Sequence, residues 1–185
     1  KDYLLEQLSL LLADFDVSID VGRSTQEIPF PYVLDGSIDL ALADVTAVDI
    51  SAVAIERARA AAEAAGVTVV WRCADVLATP PAAGEYDVVS IQYPALLRAA
   101  GELALRRLVD SVRPGGTFLV IGHDIDPDFA REHGHDMTRF VDLDGLRSVL
   151  ADRFEVEVDE IRPRPNPPAG AHHADDAILR ARRLR

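Results

Sequence analysis

Val45–Gly66 reads VTAVDISAVAIERARAAAEAAG, and the architecture of the whole chain follows from it. Val45–Ile50 is rich in β-branched residues and reads as a short strand. Ser51 offers an N-cap hydroxyl, and Ala52–Ala65 is built from strong helix formers around Ile55, Glu56, Arg57 and Arg59. Gly66 ends that helix as a C′ glycine. Val67–Arg72 (VTVVWR) then reads as a second strand. A strand, a helix and a strand in immediate succession form the unit that joins parallel neighbours in a sheet.

Towards the C-terminus the alternation continues. Tyr86–Tyr93 (YDVVSIQY) is an apolar strand after the Pro80-Pro81 loop. Leu96–Val112 is predicted helical, and Arg113-Pro114-Gly115-Gly116 stops it. Thr117–Gly122 (TFLVIG) is a strand, and a polar loop follows as far as Phe140. Asp142 caps a short helix through Asp152. Phe154–Ile161 (FEVEVDEI) alternates in the manner of an antiparallel strand with one wet face. Asp176–Arg183 pairs with it across the Pro- and His-containing loop Arg162–Asp175. The pattern predicts an α/β fold: a doubly wound, mostly parallel Rossmann-like sheet closed by a C-terminal antiparallel hairpin. Ligands of such sheets bind outside the carboxyl ends of the strands. The candidate site residues are therefore those just after each strand: Asp49, Asp75, Gln92, Tyr93, His123 and Asp124.

Upstream of Val45 the pattern is less regular. Tyr3–Phe15 is an amphipathic helix, and residues 1–30 are read as an N-terminal cap on a single domain spanning 1–185. Two stretches compete as first strand. Val17–Gly22 (VSIDVG) leaves a long connection containing Pro29 and Pro31, which disfavour a helix. Tyr32–Gly36 (YVLDG) leaves only Ser37–Asp44 for a helix before Val45, barely two turns.

The formal net charge of -12 and the 27% of charged residues describe a soluble chain whose field repels DNA and anionic membranes. Cys73 is the single cysteine, so no disulfide framework or CxxC metal site can form, and a reducing cytoplasmic setting fits. No apolar run approaches the roughly 20 residues that a membrane span needs. The Leu-rich start lacks the basic region and cleavage site of a signal peptide.

Four segments together resemble the class I S-adenosylmethionine-dependent methyltransferase family. They are VTAVDIS with its helix, RCADVLA (Arg72–Ala78), GEYDVVSIQYPAL (Gly84–Leu96) and VRPGGTFLVIGHD (Val112–Asp124). With the terminal hairpin the resemblance covers about Val45 to Arg183, and the ending is similar to that of small bacterial enzymes of the tellurite-resistance or thiopurine type. It implies a seven-stranded methyltransferase sheet and S-adenosylmethionine as cofactor. Asp49, followed by Ile50, would bind the ribose hydroxyls; a carboxylate suits a cis-diol because it accepts two hydrogen bonds. Asp75 would take the adenine amino group and Val76 would add a backbone donor and an apolar wall. Gln92 would lie beside the methyl donor, and Asp35 and Gly36 stand where the family's glycine-rich loop would be. That loop, GxGxG in the family, does not occur here.

The expected activity is methyl transfer to a small-molecule acceptor, with His123 and Tyr93 as the candidate catalytic residues. Histidine titrates near neutrality and can act as a base. IQYPA stands where amino methylases of nucleic acids carry NPPY or DPPY, which argues against a nucleic-acid substrate. A homodimer is compatible with the sequence. The absent glycine loop supports the alternative of a catalytically impaired binding or scaffolding domain. A nicotinamide oxidoreductase needs the same glycine fingerprint and a Tyr-x-x-x-Lys pair that is missing. His133 and His135 in HGHD are metal ligands by residue type, without a nameable set of four, so no metal is expected. Cys73 reads as a small buried apolar residue.

Overall fold

The computed structural model describes residues 18–22, 44–65, 68–124, 127–132, 134, 136–163 and 175–185. Seven strands among the described residues are β1 (Ser18–Gly22), β2 (Asp44–Asp49), β3 (Val70–Cys73), β4 (Tyr86–Gln92), β5 (Val112–His123), β6 (Phe154–Pro163) and β7 (Asp175–Arg183). They form one sheet in the order β3-β2-β1-β4-β5-β7-β6. The helices are α1 (Ala52–Ala65), α2 (Glu102–Asp110), α3 (Pro127–Glu132) and α4 (Leu143–Leu150).

Helix α1 forms as its sequence dictates. Ser51 Oγ accepts from the Ala54 N–H at 3.2 Å, and the buried face runs Ile55, Ala58, Ala62 at helical spacing. It carries the chain from β2 to its parallel neighbour β3. Helix α2 makes the same kind of crossover between β4 and the parallel β5. The predicted terminal hairpin is present: β6 and β7 pair antiparallel, and β7 also pairs antiparallel with β5.

Three expectations need correction. The helix expected over Leu96–Val112 is interrupted: Arg98–Ala100 is a separate short turn, and Gly101 at φ 84° breaks the path before α2 starts at Glu102. The third strand begins at Val70, with Thr68 and Val69 outside it. The sheet is mixed and not mostly parallel, because β1 runs antiparallel to both β2 and β4. The Val17–Gly22 alternative thus supplies the central strand, in the opposite direction to its neighbours. A parallel β1 would need a crossover helix before β2, and Pro29 and Pro31 in the intervening sequence disfavour one. Tyr3–Phe15, Tyr32–Gly36, His133 and His135 lie outside the described residues.

One face of the sheet packs under α2 and α4. Val89, Ile91, Phe118, Val120, Leu179 and Ala181 meet Leu105, Leu108 and Val109 of α2 and Leu146, Val149 and Leu150 of α4. Each such side chain stabilises the fold by about 1.5–3 kcal/mol relative to exposure. On the other face Leu119, Ile121 and Ile178 form a smaller cluster with Tyr93 and Val158.

Helix α4 is capped as predicted. Asp142 Oδ1 accepts from the Gly145 N–H at 2.8 Å, and Oδ2 pairs with Arg98 at 2.7 Å. The Gly145 N–H, with the Arg98 guanidinium assisting, holds the Asp142 carboxyl below its ordinary range. A depressed folded pKa contributes stability above the unfolded value of 3.8 that is lost as pH falls below it. Asp142→Ala should therefore cost about 1 kcal/mol at pH 7 and almost nothing near pH 2. Urea unfolding at the two pH values measures both; an equal cost at both would remove the charged cap from the account.

Candidate functional site

The parallel pairs set one functional edge. Asp49 stands opposite Cys73 in the β2–β3 ladder, and Gln92 stands opposite Ile121 in the β4–β5 ladder. The ends of β2, β3, β4 and β5 therefore share an edge with the start of β7, where His123 pairs with Asp176 in the ladder.

Asp49 is the most informative residue of this edge. It is 5% exposed, and its Oδ1 accepts from the Ser51 N–H at 2.5 Å. Its Oδ2 is buried with no hydrogen-bond partner among the described residues. Burial pushes the carboxyl pKa up, and the Ser51 N–H opposes that shift. A buried unsatisfied acceptor costs about 1–3 kcal/mol, more when charged, and a ligand hydroxyl would relieve it. Ile50 beside it is 73% exposed and offers an apolar surface at the same edge.

Asp75 mainly builds its own turn. Its Oδ1 accepts from the Leu77 N–H at 2.9 Å and the Ala78 N–H at 3.3 Å. The Ala74 N–H donates to the Asp49 carbonyl at 2.9 Å and so ties the two strand ends together. Val76 is half-buried against the core, so its side chain serves packing. Cys73 is exposed, against the buried setting expected of it; its place at the end of the outermost strand leaves it uncovered.

Gln92 is buried at the end of β4. Tyr93 follows at φ 48°, a left-handed conformation that aromatic residues seldom adopt. Its N–H donates to the Ile121 carbonyl at 2.6 Å. Its phenol lies 3.2 and 3.3 Å from the two carboxylate oxygens of Asp176, which is 1% exposed. Strain that persists at a strand end commonly marks a site whose surroundings over-determine it. Sequence reasoning placed Tyr93 but missed Asp176, which lies 83 positions away and read only as the first residue of a strand. His123 is the last residue of β5, at the same edge as Tyr93. In HGHD, Asp136 accepts from the Thr138 N–H at 3.1 Å and the Thr138 hydroxyl at 2.6 Å, so it caps a turn. Asp35 and Gly36 lie outside the described residues.

The antiparallel β1 alters one half of this edge. Ser18 lies opposite Val48, near the Asp49 end, whereas Gly22 lies opposite Asp44 at the far edge. The chain leaving Gly22 therefore starts from the edge opposite the site. A cavity of 520 Å³ opens at the ends of β4 and β5, beside the segment that leads into α4.

Two family models match the chain. Residues 35–116 match the model described as a methyltransferase domain. Residues 1–60 match the N-terminus of bacterial AMP nucleoside phosphorylase. AMP nucleosidase of Escherichia coli strain K12 is 54% identical over 37 residues, which is 20% of this chain and 8% of the relative. The chain thus spans under a tenth of the curated relatives that it matches. Among solved structures, a SAM-dependent methyltransferase of Methanosarcina mazei superposes with TM-score 0.56 at 15% identity, covering 75% of this chain and 81% of that one. The N-methyltransferase NodS of Bradyrhizobium japonicum superposes with TM-score 0.53 at 17% identity, covering 76% and 73%. These likenesses show the fold.

Proposed function

We propose that this chain carries a class I S-adenosylmethionine-dependent methyltransferase domain and transfers a methyl group from S-adenosylmethionine to a small-molecule acceptor, a reading supported by the methyltransferase-domain match over residues 35–116. The observation that carries this reading is Asp49 at the end of β2, whose Oδ2 has no hydrogen-bond partner among the described residues and suits a ribose hydroxyl. That residue fits the adenosine half of the group: its free oxygen accepts a hydroxyl proton while Ile50 faces outward beside it. When bound, the cofactor supplies an electrophilic methyl on a sulfonium. The chain's own part is to hold the acceptor in line and exclude water, which together lower the barrier more than proton transfer does. Tyr93, fixed by Asp176, shapes the floor near the reacting edge, and His123 is the base for an acceptor that must lose a proton. The net charge of -12 supports a small molecule over a nucleic acid or a membrane surface. Residues 1–185 then act as one domain in the cytoplasm.

A second reading rests on the direction of β1. Gly22 stands at the far edge, whereas a glycine-rich loop followed by a helix start cradles a methionine moiety from the site edge. The domain then binds the nucleoside half and turns over poorly. Calorimetric titration with S-adenosylhomocysteine and with methylthioadenosine decides. Micromolar binding of the first and much weaker binding of the second supports the enzyme. Similar affinities support the impaired domain, and no binding of either at millimolar ligand overturns both.

A further inference from the structure

We propose that the 520 Å³ cavity binds a small molecule with a flat apolar body and a protonated amine, the amine seated against Asp124. The inference rests on the methyl-acceptor reading above and gives that acceptor a chemical class. The walls come from opposite sides. Val120, Gly122 and Ala177 present the sheet face at the end of β5 and the start of β7, and Met137, Phe140 and Leu146 line the cavity with them. Gly122 is the key to the shape. A Cβ built on it would meet nothing within 4 Å, so the bare backbone leaves room that a planar body can fill. An apolar slot of this size, with a few polar groups at its mouth, is the usual form of a small-molecule site.

The charges at the mouth select the ligand. Arg98 contributes a cation, but Asp142 neutralises it at 2.7 Å. The Asp124 carboxylate has no hydrogen-bond or ion-pair partner among the described residues and lines the cavity. The Asp124 N–H donates to the Asp175 carbonyl at 3.2 Å, so Asp175 and then Asp176 stand at the same edge. A carboxylate with no match among the described residues, at the mouth of an apolar slot in a chain of charge -12, favours an ammonium group over a carboxylate.

Tryptamine, indolepropionate and ethylindole share a flat body and differ in charge, so their titration into the full chain tests the proposal. Tryptamine should bind at least about tenfold more tightly than indolepropionate. Asp124→Asn should erase that preference while leaving ethylindole unchanged. Gly122→Leu, whose fold is verified by circular dichroism, should abolish binding of all three by filling the slot. Equal affinity for the two charged probes, a preference for the carboxylate, survival of binding in Gly122→Leu, or no binding of any probe would each overturn the proposal. Titration with S-adenosylhomocysteine separates the two claims. Loss of that binding with tryptamine binding intact defeats the methyltransferase reading alone, and the reverse result defeats the amine site alone.

Discussion

Asp49→Asn should weaken S-adenosylhomocysteine binding by about 1.5–3 kcal/mol, the range for hydrogen bonds to a charged group, and should also stabilise the ligand-free protein at neutral pH. The two effects share one cause. Oδ2 is buried with no partner among the described residues, so the fold carries a desolvated charge that the ligand would satisfy. Asparagine keeps the shape, and its oxygen still accepts from the Ser51 N–H, but the other atom becomes an amide nitrogen that cannot accept from a ribose hydroxyl. The pH dependence follows in sign. Burial raises the folded pKa of Asp49 above its ordinary 3.8. A raised carboxyl pKa contributes stability while the group is protonated, and that contribution is lost as pH rises through the folded pKa. The advantage of the variant is therefore full at neutral pH and disappears as pH falls through the raised pKa towards 3.8. Thermal melts at pH 7 and near pH 4, with calorimetry at pH 7, measure both. An unchanged dissociation constant in a folded variant would refute the ribose role.

Phe118→Ala should cost about 3–5 kcal/mol of stability, the range for emptying a large aromatic from a core. Phe118 is fully buried near the middle of β5, and its ring meets Phe154 edge-on with centroids 6.4 Å apart. It lies in the layer that α2 and α4 cover, so several elements lose contacts at once. Natural domains hold only about 5–15 kcal/mol in total, so this one change should bring the protein close to unfolding at room temperature. Urea unfolding followed by circular dichroism gives the value. A loss below about 1 kcal/mol would mean that the layer repacks freely, against the close packing expected of a core.

The charge-capped α4 and the terminal hairpin are legible in the amino-acid sequence, because each rests on a local signal. Asp142 precedes an apolar helical run, and FEVEVDEI alternates along its length. The break at Gly101 is less legible, since Glu102–Asp110 after it continues a helical apolar pattern. The exposure of Cys73 has no local signal at all. Burial of a strand residue depends on whether another strand or helix covers it, and β3 is an outer strand.

Most strands and helices after Val45, and the placing of Asp49, Gln92 and His123 at strand ends, follow from local pattern. Caps, helical spacing and β-branched runs act between residues a few positions apart, so they hold without tertiary context. The direction of β1, the Tyr93–Asp176 contact, the orphaned oxygen of Asp49 and the slot above Gly122 emerge only when the chain is folded. Symmetry and distance explain the division. A period-2 pattern is the same read forwards or backwards, so VSIDVG carries no arrow, and only its hydrogen bonds to β2 and β4 fix one. The remaining features join residues far apart in the chain, and a local pattern says nothing about which distant group will arrive beside them.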